Sequence, residues 1–320
     1  MRNNRPGRGF RLSPAPFVKP SRSRPETHRG GQMPKLESTV PRRQLGRYLR
    51  ELRFASGMTI AEAAVLVERG SSTLQRLEKG VAERIRVLDV EALCRIYDAD
   101  ETTSAALIGL AQQAKVKSWY HEYGDLIPEN FDVYMGLEVA ARSLKTYQIE
   151  LIPGLLQTAD YARAVIESGL PDESRVDIDR RVRLRMQRQV LIRRTSRPAT
   201  LDVVLHEAVL HRVIGGQRIM EAQRRHLADI STRPNVTLRV LPFTAGLPRC
   251  AVTGAFTILD FGKNPKGAPI EPPVIYVPNF AGEIYLEKEV DIHRYDRAYK
   301  AIQAAALDAD SSRDLIRGRR

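Results

Sequence analysis

His206-Glu207, followed by His211, is the grouping in this chain that most resembles a metal or acid–base site. Zinc proteases of the HExxH type place two histidines four residues apart on one helical face, with the glutamate as base. Here the histidines are five apart, which turns the second ring about 140° from the first, and Leu210 stands where the second ligand belongs. Other catalytic signatures fail as directly. Gly215-Gly216 lacks the Lys-Ser/Thr of a phosphate loop, there is no GxGxxG or GxSxG, and neither Cys94 nor Cys250 has a neighbouring histidine to activate it. Cys94 falls on an apolar helical face and reads as core. No catalytic residue, metal or cofactor is expected, and the chain reads as a non-enzyme.

The remaining chemistry is recognition by hydrogen-bonding and cationic side chains on a short helix around Arg76. Its scaffold is legible. Leu45, Leu49 and Leu52 form one stripe of a helix, ended by Gly57. Thr59 with Glu62 three residues on has the capping-box spacing for a second helix, whose inward positions are Ile60, Ala63, Ala64 and Val67. The turn Glu68-Arg69-Gly70 leads to Ser71, an N-cap for a third helix that runs to about Lys79 and is closed by Gly80. Val87–Tyr97 and Thr102–Ala114 read as two more helices, with Val90, Leu93, Cys94 and Tyr97 on one face. A small residue at Ala64 lets the third helix cross closely, and Leu74 and Leu77, ten and thirteen positions on, pin it. That is a helix-turn-helix arrangement.

STLQRLEKG at Ser72–Gly80 resembles the recognition helix of the Xre-type (phage-repressor-like) helix-turn-helix family, and the resemblance spans Arg42 to about Ala114. By family position, Ser71, Ser72 and Arg76 would meet base edges, the arginine fork gripping guanine. Thr73, Gln75 and Lys79 would lie near phosphates, and Arg42, Arg43 and Arg47 would approach the DNA backbone from the first helix. Two departures stand out. Ile60 replaces a glutamine that braces a phosphate, and Glu68 replaces a glycine with positive φ, so Gly70 offers a relocated turn.

Composition sets the surroundings. The net charge is +13, with a pI near 9.9, which favours polyanionic partners. Residues 1–41 hold nine Lys/Arg against two acids, with seven prolines and four glycines, and are expected to be a disordered basic tail. A second reading takes Met33, near its end, as the translation start, so that the tail is not always made. Two cysteines make no disulfide framework. No apolar run reaches the roughly 18 residues of a membrane span, and the basic start lacks the apolar core of a secretory signal. A cytoplasmic, nucleoid-associated protein is expected, without membrane contact.

Beyond an all-α domain of about five helices at 42–114, residues 115–320 read as a larger α+β, or α/β, domain. Helices are expected at Glu138–Gln148, Ala159–Ser168, Val176–Ile192, Ile219–Ser231 and Asp291–Ala305. Strands are expected at Leu201–Leu205, Val236–Pro242, Ala255–Phe261 and Val274–Val277. The arginines at 180, 181, 183, 185 and 188 do not form a single stripe and read as a solvated, ion-paired face. Trp119, Tyr120, His121 and Tyr123 crowd five residues and suit a ligand pocket or an interdomain joint.

LIPGLLQTADYARA (Leu151–Ala164), VLHEAVLHRVIGG (Val204–Gly216) and PNVTLRVLPFTAG (Pro234–Gly246) resemble the uncharacterised carboxy-terminal domain attached to Xre-type regulators of actinobacteria. His206 departs from the acidic residue common there. The resemblance implies a transcriptional regulator that binds double-stranded DNA, with a second domain that senses a small-molecule effector or a small acidic partner protein. A homodimer is expected, because one short helix contacts few bases. The alternative is an assembly module whose helix-turn-helix has drifted from DNA and acts through the acidic partner.

Overall fold

The computed structural model describes residues 40–318, except 83, 115–118, 128–130, 249–251, 264–266, 268 and 281; the side chains of Trp119 and His121 are also outside the described set. The expected tail thus lies outside the described residues up to 39, while Val40 and Pro41 already belong to a helix.

Five helices build the amino-terminal part: α1 (Val40–Ala55), α2 (Ile60–Leu66), α3 (Ser71–Glu78), α4 (Val87–Ile96) and α5 (Glu101–Gln113). Gly57 ends α1 with φ 71°. The capping box forms in both directions: the Glu62 carboxylate accepts the Thr59 amide at 2.8 Å, and Thr59 Oγ1 accepts the Glu62 amide at 3.2 Å. The turn after α2 does not move to Gly70, whose φ is −71°. It stays at Glu68, which takes φ 53°. Two amides hold it there: Arg69 donates to the Ala64 carbonyl at 2.9 Å and Glu68 to Val65 at 3.1 Å, the paired bonds of a Schellman ending. The cap of α3 also differs from expectation, since Gly70 occupies the cap position and Ser71 is already helical.

Leu45, Leu49, Ala64, Leu74, Leu77, Val90, Leu93 and Cys94 share one core. Its tightest contact is backbone on backbone. A Cβ on Gly46 of α1 would lie 2.5 Å from the Leu77 carbonyl oxygen and 2.6 Å from that of Glu78. Gly46→Ala should therefore lower the melting temperature of the intact protein, at a cost of about 1–3 kcal/mol. Alanine's helix propensity alone would raise it, so a higher melting point would contradict the close approach.

The carboxy-terminal part follows a short 3-10 turn at Trp119–Tyr123. Its elements are α6 (Phe131–Ala140), β1 (Ser143–Gln148), α7 (Ala159–Gly169), α8 (Arg175–Arg188), α9 (Val190–Arg193), β2 (Thr200–His206), α10 (Ala208–His211), α11 (Gln217–Ile230), β3 (Val236–Leu241), β4 (Phe256–Asp260), β5 (Val274–Val277), β6 (Ile284–Leu286), α12 (Glu289–Ala305) and α13 (Ala309–Ile316). The sheet order is β3-β2-β1-β4-β5-β6. β3, β2 and β1 run parallel, and β1, β4, β5 and β6 pair antiparallel. Both faces are covered. Leu144, Leu201, Val203, Leu205, Leu238 and Val240 pack under α6, α7, α9, α11 and α13, while Tyr147, Val204, Phe256, Ile258 and Ile275 meet Tyr299 and Ile302 of α12.

The fold is α+β as expected, but the expected helix at 138–148 is wrong over its second half. Residues 143–148 are the strand between β2 and β4, hydrogen-bonded on both sides, and that double ladder overrides local helical preference. The long helix at 176–192 breaks at Gln189, whose side-chain amide donates to the Gln157 carbonyl at 2.7 Å and to that of Gly154 at 3.2 Å. β6, α10 and α13 were not foreseen; each is eight residues or shorter.

Candidate nucleic-acid interface

α3 turns Leu74, Leu77 and Glu78 inward and leaves Ser71, Ser72, Thr73, Gln75, Arg76 and Lys79 exposed. The inward glutamate fastens it. Arg53 of α1 grips Glu78 with both fork nitrogens, Nε to Oε1 at 2.7 Å and Nη2 to Oε2 at 2.9 Å, and donates Nη1 to the Met58 carbonyl at 2.8 Å. The side chains of both partners are buried. The Glu78 hydrogen bond raises the Arg53 pKa above its ordinary value. The helix that presents Arg76 is thus bolted to α1 by charge as well as by leucines.

Beside Arg76 opens a cleft of about 330 Å³ lined by Arg69, Thr73, Arg76, Ala82, Arg84, Arg86 and Asp89. Arg69 and Asp89 pair bidentately at 2.7 and 3.0 Å, which ties the turn after α2 to α4. Arg76, Arg84 and Arg86 give the cleft its positive charge. Arg84 and Arg86 are exposed on either side of Ile85, which is buried. Sequence reading passed over this pair, although two arginines flanking one apolar residue is a signal for outward projection. A concave basic surface against a polar helix suits a phosphate backbone.

The three arginines of α1 are placed elsewhere. Arg42 is buried and donates to the carbonyls of Ala114 at 3.2 Å and Ala82 at 3.1 Å. Arg43 pairs with Glu287 at 2.6 Å. Arg47 pairs with Glu271 at 3.2 Å, beside Gln44, which donates to the Ile270 carbonyl at 2.7 Å. The expectation that these arginines approach DNA is corrected: α1 lies between its own helical core and the β4–β6 side of the sheet domain, so its arginines are used there. Val40 even enters the sheet domain's core. Burial raises the Glu271 pKa, and Arg47 and Arg43 work against that rise.

Of the aromatic cluster, Tyr120 is fully buried against Met135 of α6 and Leu184 of α8, with Tyr123 packed alongside; the Trp119 and His121 side chains lie outside the described residues. Tyr120 therefore serves as packing rather than lining an open pocket. The His206–His211 grouping is also structural. His206 Nδ1 accepts the Ala208 amide at 3.2 Å, Glu207 accepts the Phe243 amide at 2.8 Å, and His211 sits 3.3 Å from Glu207. These contacts tie the end of β2 to the loop after β3. Among the described residues no group of three or more His, Cys, Asp or Glu side chains is placed to hold a metal ion, and no helix is long and apolar enough to cross a membrane.

Two family models match the chain. Residues 44–107 match a helix-turn-helix domain, and residues 131–318 match a domain of unknown function, DUF5753. No curated protein and no solved structure matches it. With more than half its length in that second match and the helix-turn-helix geometry in front of it, the chain belongs to the DUF5753 family and carries a helix-turn-helix domain on the amino-terminal side.

Proposed function

We propose that this protein is a sequence-specific DNA-binding transcriptional regulator of the Xre type, of the kind found in actinobacteria. It acts without enzymatic activity in the cytoplasm, as a homodimer on a two-fold operator. Its carboxy-terminal domain senses a small molecule or a partner protein. The observation that carries this reading is the outward face of α3, with Ser71, Ser72 and Arg76 exposed and Arg76 lining a basic cleft. Ser71 and Ser72 meet bases at the helix's amino end, Arg76 reads guanine one turn on, and Thr73, Gln75, Lys79, Arg84 and Arg86 lie along the phosphates.

Gel shifts with genomic fragments test it. Arg76→Ala should weaken binding to the operator by about 1–3 kcal/mol while leaving non-specific binding nearly unchanged. Equal binding of both proteins to every fragment refutes base reading by Arg76. The same basic cleft would receive an acidic partner protein, which is the second reading. Co-purification of such a partner, with no footprint on any DNA, would establish that role instead.

A further inference from the structure

The arginines at 180, 181, 183, 185 and 188 of α8 form no single stripe, as expected from the sequence, but three of them share one face. Arg181, Arg185 and Arg188 fall at i, i+4 and i+7 and point to one face. The outer two are neutralised. Arg181 donates to both oxygens of Glu173 at 2.7 and 2.8 Å, and Arg188 to both oxygens of Glu138 at 2.7 and 2.8 Å. Arg185, between them and partly buried, donates to the neutral side-chain oxygen of Gln157 at 3.1 Å. Among the described residues it has no carboxylate partner.

A guanidinium keeps its proton in proteins, so Arg185 cannot escape burial by discharging as a lysine does. Burial, with repulsion from Arg188 and Arg181, holds its pKa down to about 10. A cation in that position costs stability until an anion joins it. The turn after β1 places Gly154 beside it, and a Cβ at Gly154 would stand 3.7 and 3.8 Å from the Arg188 guanidinium nitrogens and 3.9 Å from Arg185 Cδ, in contact but without clash.

We propose that Arg185, flanked by Arg181 and Arg188 and faced by the Gly154–Gln157 turn, binds the oxyanion group, carboxylate or phosphate, of a small-molecule effector. The planar fork matches either group bidentately. Arg185 keeps part of its surface open to solvent, the route by which a small anion would reach it. Arg181 also donates to the Leu126 carbonyl, in the stretch that connects the helical domain to the sheet domain, so the filled site adjoins that connection.

This deepens the sensing role proposed above, and its test contains no DNA, so it can fail while operator binding stands. The full chain is melted in dilute buffer with sodium phosphate, sodium acetate or sodium chloride at matched ionic strength. The wild type should melt about 2–4 °C higher in phosphate or acetate than in chloride; the more effective anion identifies the group. Phosphate stabilises many proteins by exclusion from their surface, so Arg185→Met supplies the baseline. That variant should lose the oxyanion-specific rise and melt no lower than wild type in chloride. Arg185→Gln replaces it if the methionine variant does not fold. A wild type with equal melting points in all three salts, or a variant that keeps the full rise, overturns the proposal.

Discussion

Glu138→Ala should destabilise the carboxy-terminal domain by about 3–5 kcal/mol, a fall in melting temperature of roughly 6–20 °C for a domain of this size. The pair it breaks lies deep. The side chains of Arg188 and Glu138 are 8% and 2% exposed, and the guanidinium also sits 5.3 Å from the Phe131 ring centre and 5.6 Å from that of Tyr134. Burial pushes the Arg188 pKa down, and Glu138 more than reverses this, leaving it above the ordinary arginine value. Without the carboxylate, a charged fork remains in an apolar site between α8 and α6. The double variant Glu138→Leu/Arg188→Met removes both charges and should recover most of the loss. Calorimetry of the two variants checks this; if the double variant melts as low as the single one, the cost comes from lost packing rather than from the stranded charge.

Glu78→Ala should have an effect of the same order, about 3–5 kcal/mol, but confined to the helical domain. Glu78 is the counter-ion of Arg53, with side chains 3% and 5% exposed, and the pair joins α3 to α1. A domain of this size holds about 5–15 kcal/mol in total, so the recognition helix should lose much of its protection against hydrogen exchange while β1 and β2 keep theirs. Any DNA binding by α3 should fall with it, although Glu78 is on the buried side of the helix. Burial shields the pair from ionic screening, so added salt should not mimic the substitution. Retained protection of α3 amides would show that Leu74 and Leu77 hold the helix without help.

How far the sequence could be read depended on how far apart the interacting groups lie. The Thr59–Glu62 box and the Gly57 and Gly80 endings involve neighbours, and their geometry is set by the backbone's own hydrogen bonds. The Ala64, Leu74 and Leu77 spacing identified α3 and its outward face for the same reason. The turn at Glu68 is a nearby exception. Residue preference pointed to Gly70, but the bonds from Arg69 and Glu68 back into α2, with the Arg69–Asp89 pair, hold a non-glycine residue in a left-handed conformation that costs about 1–3 kcal/mol.

The sheet domain was legible where strands are bounded by proline or glycine and rich in branched residues, as at β2, β3, β4 and β5. It was misread at β1, because Ser143–Gln148 becomes a strand only when β2 and β4 arrive on either side. The phrases that carried the family resemblance do have a spatial meaning: LIPGLLQT, LHEAVL and LPFTAG follow or end β1, β2 and β3, and the parallel strands deliver all three to the carboxyl ends of these strands, on one side of the sheet domain.

By itself the chain determined a helix-turn-helix domain in front of an α+β domain, and it determined which face of the short recognition helix is polar. Capping, periodicity and turn chemistry act over a few residues, so one stretch of sequence contains both partners of each interaction. Only the tertiary structure decided what each arginine does. Arg42, Arg43 and Arg47 look like DNA contacts in sequence and are instead spent on Ala114, Glu287 and Glu271, while Arg84 and Arg86 open onto the cleft. A guanidinium takes the role of whichever anion or carbonyl folding brings within about 3 Å, and the glutamate that meets Arg47 is 224 residues away along the chain.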